Sequence, residues 1–133
     1  MWRVRRAEAI AAARAPRAGD ARGMLRAPMA FDRVASLRSF IARKPDDPFP
    51  RYGLAMELKS RGDLAASATA FDELIAAFPD YVPAYLMAAG VYGDVGRKDD
   101  ARATLQKGIE VATTKGDAHA KKELEAALAE AGG

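Results

Sequence analysis

Residues of the same kind recur every 34 positions along this chain of 133 residues. Pro45 is followed by Pro79 at this interval, and Gly62 is followed by Gly96. The apolar residues that keep the same interval are Leu37, Phe71 and Leu105, together with Ile41, Ile75 and Ile109. A fixed interval of this length indicates a repeat protein, in which copies of one small unit stack side by side. The interval therefore restricts the fold more than any other feature of the sequence.

Within one interval the apolar residues have the spacing of two amphipathic helices. The first helix has its apolar residues at Tyr52, Ala55, Met56 and Leu58, and the second has them at Leu64, Ala68, Phe71, Leu74 and Ile75. Gly62 and Asp63 separate the helices, and Phe78 and Pro79 end the second one. Helices of about 13 residues are marginal on their own in water, so neighbouring units must cover their apolar faces.

This unit resembles the tetratricopeptide repeat, a family of 34-residue helical hairpins with small and aromatic residues at set places. Residues 48–81 form one repeat, and residues 82–115 form the next. The residues that carry the resemblance are Leu54, Ala55, Leu58, Gly62, Ser67, Phe71, Leu74 and Pro79, then Tyr85, Ala89, Tyr92, Gly96, Ala101, Leu105 and Gly108. Two residues depart from the pattern, because Arg51 replaces an opening aromatic residue and Thr113 replaces the closing proline.

The pattern continues beyond the two full repeats on both sides. Residues 32–43 match only the second helix of a unit, with Asp32 as the expected N-cap. Residues 117–131 predict a helix capped by Asp117, with a polar outer face suited to the end of a stack. The resemblance thus implies an all-α domain over 29–133: a short right-handed solenoid of antiparallel helical hairpins, made of a half repeat, two full repeats and a C-terminal capping helix.

In this family the first helices of the hairpins line a concave surface that usually holds a peptide or a partner helix. The resemblance therefore implies a binding groove, and its residues would be Phe49, Tyr52, Met56, Lys59, Pro83, Leu86, Met87 and Asp94. Apolar side chains occupy the middle of this set, and the chain has no asparagine. We therefore expect no clamp for a C-terminal carboxylate on this surface. Two interpretations remain open: an apolar groove for a partner, or packing of these residues against the chain's own flanking helices.

The net charge of +3 is divided unevenly along the chain. Residues 1–28 carry seven arginines against two acidic residues, a net charge of +5, whereas residues 29–133 carry 14 basic and 16 acidic residues, a net charge of −2. The basic segment is a targeting peptide, an arm that contacts nucleic acid, or a disordered extension. The glycines and prolines in it favour the disordered extension.

Composition argues against an enzyme, a metal protein or a membrane protein. The chain has no cysteine, and His119 is its one histidine, so thiolate chemistry and multi-histidine metal sites are excluded. Asp99 and Asp100 are expected at the start of a helix, in a capping role rather than as a metal pair. We therefore expect no cofactor and no transmembrane segment. The predicted function is that of a soluble, cytoplasmic adaptor for a protein or peptide. The alternatives are self-association of its apolar faces and nucleic-acid contact through the basic N-terminal arm.

Overall fold

The computed structural model describes residues 33–132, and most of this part is helical. Within it there are six α-helices and no strands, as the resemblance implies. The helices are α1 (33–43), α2 (Pro48–Ser60), α3 (Leu64–Ala77), α4 (Val82–Asp94), α5 (Lys98–Lys115) and α6 (Ala118–Glu130). The fold is therefore all-α, and the predicted cap Asp32 and basic segment 1–28 lie outside the described residues.

Aspartate side chains begin three of these helices. The carboxylates of Asp47, Asp63 and Asp117 accept hydrogen bonds from backbone N–H groups in the first turns of α2, α3 and α6. Such caps satisfy donors that have no partner within the helix. Helix α5 begins differently, because its N-cap residue Arg97 makes no capping bond and the expected Asp99–Asp100 pair lies in the first turn without capping it.

Glycines in the left-handed region form the turns inside the two hairpins. Gly62 has a φ of 83° and Gly96 a φ of 88°. At both positions the following N–H bonds to a carbonyl five residues back, so α2 ends before α3 and α4 ends before α5. Residues with a Cβ adopt this conformation at a cost, which explains why glycine recurs at the 34-residue interval.

The helices pack in sequence to form a short solenoid. Helix α2 packs on α3 and α4 on α5, which gives two antiparallel hairpins, and α3 also contacts α4. Helix α6 then packs against both α5 and α4. The core is centred on α4, which buries seven residues, whereas α6 buries one, Leu124. Val34, Leu37 and Ile41 of α1 pack against the same core from the other end.

The second hairpin is longer than the first. Helix α3 has 14 residues and is followed by Pro79, whereas α5 has 18 residues and ends at Gly116 in the left-handed conformation. Thr113 stands where a closing proline would be expected, and its hydroxyl donates to the carbonyl of Ile109 within the helix. Proline would remove a backbone donor there, so threonine allows α5 to continue.

Candidate functional site

Three aromatic side chains contact one another edge to face at the start of the predicted groove. The ring of Tyr52 lies edge-on to Phe71 at a centroid distance of 6.4 Å and edge-on to Tyr81 at 5.6 Å. Edge-to-face pairs at such distances are favourable beyond the area that they bury. Tyr52 is nevertheless only partly buried, so it joins the first hairpin to the start of α4 and keeps some surface open to solvent.

The other predicted groove residues of α2 differ in exposure. Phe49 is 68% exposed, which is unusual for a large apolar side chain. Met56 packs against the core and keeps part of its surface exposed, and Lys59 is also partly exposed. The face of α2 that the sequence assigns to the groove therefore presents apolar surface to solvent.

The predicted groove residues of α4 lie next to α6. Pro83, Leu86 and Met87 line a pocket of about 210 Å³ together with residues at the start of α6. Leu86 also lines a second cleft further along α6, and Asp94 at the end of α4 is exposed. Helix α6 thus lies next to this half of the predicted groove, whereas Phe49 in the other half is exposed to solvent.

The second cleft is the larger one, with a volume of about 510 Å³. It lies where α4 ends, α5 begins and α6 ends. Its apolar lining comes from Leu86, Ala89, Ala101, Leu105, Ala127 and Ala131, and its charged lining from Lys98, Arg102 and Glu130. Only Leu86 among these residues belongs to the predicted groove. A signal was present in the sequence, because the 34-residue interval places Lys98 and Arg102 at the positions of Leu64 and Ala68.

A polar network joins the two hairpins on another surface. The Tyr92 hydroxyl donates to Asp72 at 2.6 Å, and the Arg97 guanidinium donates to both Asp72 oxygens at 3.2 Å. Arg97 also donates to Asp100 at 2.8 Å and lies 4.2 Å from the centre of the Tyr92 ring. Burial and the bond to Asp72 raise the pKa of Tyr92, and the bonds to Asp72 and Asp100 raise the pKa of Arg97.

Burial also raises the pKa of the other three tyrosines. For Tyr52 it is the sole cause. For Tyr81 the neighbouring Tyr52 and Asp47 add to it, and for Tyr85 the neighbouring Asp80 adds to it. Each of these hydroxyls therefore keeps its proton to a higher pH than an exposed tyrosine does.

The described residues hold no group of three or more side chains suited to a metal ion. His119 is exposed and lies 3.5 Å from Glu123, one helical turn away. Glu57 pairs with Arg61 at 3.2 Å on α2. As for membranes, the helices of residues 33–132 are all too short or too polar to cross a bilayer.

Comparison with known proteins gives one family and several similar structures. A family model described as tetratricopeptide repeat matches residues 58–128. The chain is 40% identical over 101 residues to cellulose synthase 2 operon protein C of Komagataeibacter xylinus, a match over 75% of this chain and 7% of that protein. The crystal structure of a tetratricopeptide repeat domain protein from Salinibacter ruber is 38% identical, with a TM-score of 0.62 over 65% of this chain and 98% of that one.

A third similar structure shares the fold at low identity. It is the TPR2B domain of yeast Sti1, solved as a complex with pHsp70. Its identity to this chain is 17%, and its TM-score is 0.70 over 84% of this chain and 89% of that one. At this identity the similarity describes the arrangement of the helices.

Proposed function

Because this chain belongs to the tetratricopeptide repeat family, we propose that it is a non-catalytic protein-interaction module. Its concave surface binds a peptide or a partner helix, and Tyr52, Met56, Leu86 and Met87 form the centre of the binding surface. An adaptor or scaffold of this kind works by holding a partner in place. The solenoid supplies a rigid, preformed face for that purpose.

The exposure of Phe49 is the observation that supports this proposal best. The phenyl ring of Phe49 is 68% exposed, and Tyr52 and Met56 on the same helix are partly exposed. Together these three side chains form a strip of apolar surface that is open to solvent. Aromatic and methionine side chains are common anchors at protein interfaces, because they bury a large area and methionine adapts to varied shapes. The Sti1 domain, which has the same fold, was solved as a complex with pHsp70.

The proposal predicts that alanine at Tyr52 or at Met87 weakens binding. A peptide is first selected from a library of random peptides displayed on phage, with the full chain as bait, and its Kd is then measured by calorimetry. A micromolar Kd corresponds to about 8 kcal/mol of binding free energy. An anchor residue should account for about 1–2 kcal/mol or more of it.

Lys107→Ala is the matched control, because Lys107 is exposed on α5 outside the predicted groove. Circular dichroism of each variant checks that the helices remain folded. Unchanged affinity in both the Tyr52→Ala and the Met87→Ala variants, with their folds intact, would exclude the groove.

Self-association is a second candidate, supported by two exposed phenylalanines. Phe40 is 48% exposed on α1, and Phe49 is 68% exposed on α2. Two copies that cover these rings would form a structural scaffold rather than an adaptor. Light scattering over a concentration series separates the candidates, since a strict monomer at the highest concentration excludes the scaffold.

A further inference from the structure

The junction between the first and second hairpins is closed by apolar side chains near the hairpin turns. Leu64 and Ala68 of α3, Val91 of α4 and Val95 directly after α4 all belong to the core or pack against it. Val91 has no exposed surface, and Ala68 is 4% exposed. This junction is therefore filled.

The next junction, between α5 and α6, has different residues at the same helical positions. Position is counted from the N-caps Asp63, Tyr81, Arg97 and Asp117. The replacements are Lys98 for Leu64, Arg102 for Ala68, Ala127 for Val91 and Ala131 for Val95. At this junction two cationic residues thus stand where the first junction has apolar ones, and two alanines stand where it has valines. The cleft of about 510 Å³ lies between these four residues, and the smaller side chains of α6 leave the space for it.

The charges around the cleft favour one acidic group. Lys98 and Arg102 are one turn apart on α5 and exposed, and neither side chain forms an ion pair or hydrogen bond with a described residue. Glu130 lines the cleft from α6. The three charges sum to +1, so a carboxylate is attracted to the α5 wall and a second one is disfavoured near α6. Leu86 and Leu105 supply apolar surface beside the cations.

We propose that this cleft binds a segment of a partner protein that carries a large apolar side chain beside a carboxylate. The apolar side chain fills the space above Ala127, and the carboxylate pairs with Lys98 and Arg102. Both cations lie on the second helix of a hairpin, so this site extends beyond the first-helix surface centred on Tyr52, with which it shares Leu86. The inference rests on the proposed function and names the site and the chemistry of the partner.

The test uses the full chain and random peptides of about 12 residues displayed on phage. Enriched peptides are synthesised, and their Kd is measured by fluorescence anisotropy at low and at high salt. We expect Leu, Met, Phe or Trp close to Asp or Glu in these peptides. We also expect weaker binding at high salt, because ions screen the exposed cations.

Two double variants separate the two parts of the site. Ala127→Val/Ala131→Val restores the residues of the closed junction, so the variant should fold, and its Kd should rise about tenfold or more. Lys98→Gln/Arg102→Gln should weaken binding and remove most of its salt dependence. The matched control is Ala126→Val/Ala129→Val, which places the same valines at exposed positions of α6 outside the cleft. This control should bind like the wild type.

The following results would contradict the inference. Enriched peptides without acidic residues, or a Kd that Ala127→Val/Ala131→Val leaves unchanged, would overturn it. If that Kd is unchanged while Tyr52→Ala or Met87→Ala weakens binding, the proposed function stands and the cleft is not the site. If no peptide is enriched at all, the proposed function and the inference both fail.

Discussion

Packing at a single glycine shows how the repeat adjusts residue sizes between its helices. A Cβ on Gly108 would lie 2.7 Å from the Cβ of Tyr85 and 3.2 Å from a methyl carbon of Leu124. Tyr85 is 1% exposed, and its hydroxyl donates to the carbonyl of Pro79 at 2.6 Å. The ring is thus held at both ends, and α5 approaches it closely because residue 108 has no side chain.

Gly108→Ala is therefore expected to destabilise the protein. The added methyl group meets the stem of Tyr85, which cannot rotate away, so α4 and α5 must separate at a cost of about 1–3 kcal/mol. The higher helix propensity of alanine offsets up to about 1 kcal/mol of this packing cost. Urea denaturation measures the change in the free energy of unfolding. Gly90→Ala is the control, because nothing lies within 4 Å of its Cβ position, and it should stabilise by about 0.5–1 kcal/mol. Equal effects of the two substitutions would contradict this account.

At the level of whole helices, the hairpins are joined by the Asp72–Tyr92–Arg97 network as well as by apolar packing. Asp72 belongs to α3 and Tyr92 to α4, while Arg97 precedes α5, so three elements meet at one carboxylate. The pair of Asp72 and Arg97 is partly exposed, and such pairs contribute little stability. The Tyr92 hydroxyl bonds to the same carboxylate, and it is the stronger contact because Tyr92 is buried and its bond is less accessible to water.

The helices themselves could be predicted from the sequence, but these contacts could not. The 34-residue interval and the glycine turns locate six helices, because each glycine must adopt the left-handed conformation that ends a helix. Tyr92 was assigned to the repeat pattern from its position alone. Its partner Asp72 is 20 residues away, at a place the pattern leaves variable, and only the packing of α3 on α4 brings the two together.

Tyr92→Phe should reveal this contact through its pH dependence. Burial and the bond to Asp72 raise the pKa of Tyr92 above its ordinary value of 10.0. Below that value both the folded and the unfolded chain keep the proton, and the hydrogen bond contributes its full stability. Above it the unfolded chain loses the proton first, so the contribution of Tyr92 falls as the pH rises. In urea denaturation, the free energy of unfolding of the wild type should exceed that of the Tyr92→Phe variant by about 1–2 kcal/mol at about pH 8. The difference should be smaller at about pH 11. A difference that is constant between these pH values would contradict the role of Asp72.

At the scale of the whole molecule, burial falls from the middle of the solenoid toward both ends. Helix α4 buries seven residues, α6 buries one, and the described part of α1 has none in the buried class. In a solenoid each unit packs against its neighbours, and among the helices of residues 33–132 both α1 and α6 have such neighbours on one side only. The cleft lies where burial is low, because its lining residues Ala127 and Ala131 are small and lie at the end of α6. The 34-residue interval does not reach them in phase: Asp117 follows Tyr81 by 36 positions, which hides the equivalence of α6 with α4 in the sequence.

Hydrogen exchange of the full chain should follow the same gradient. We expect amides of α1 to exchange fastest and amides of α4 slowest, because opening α4 requires the loss of contacts on both sides. Leu37→Ala should accelerate exchange in α1 and leave α4 nearly unchanged, since Leu37 is only partly buried where it contacts α2 beside Gly53. Leu124→Ala removes a fully buried side chain and should cost about 2–5 kcal/mol, with the largest acceleration in α6 and α5. If both substitutions accelerated exchange equally in every helix, the domain would unfold as one cooperative unit, and the gradient in burial would not govern its local stability.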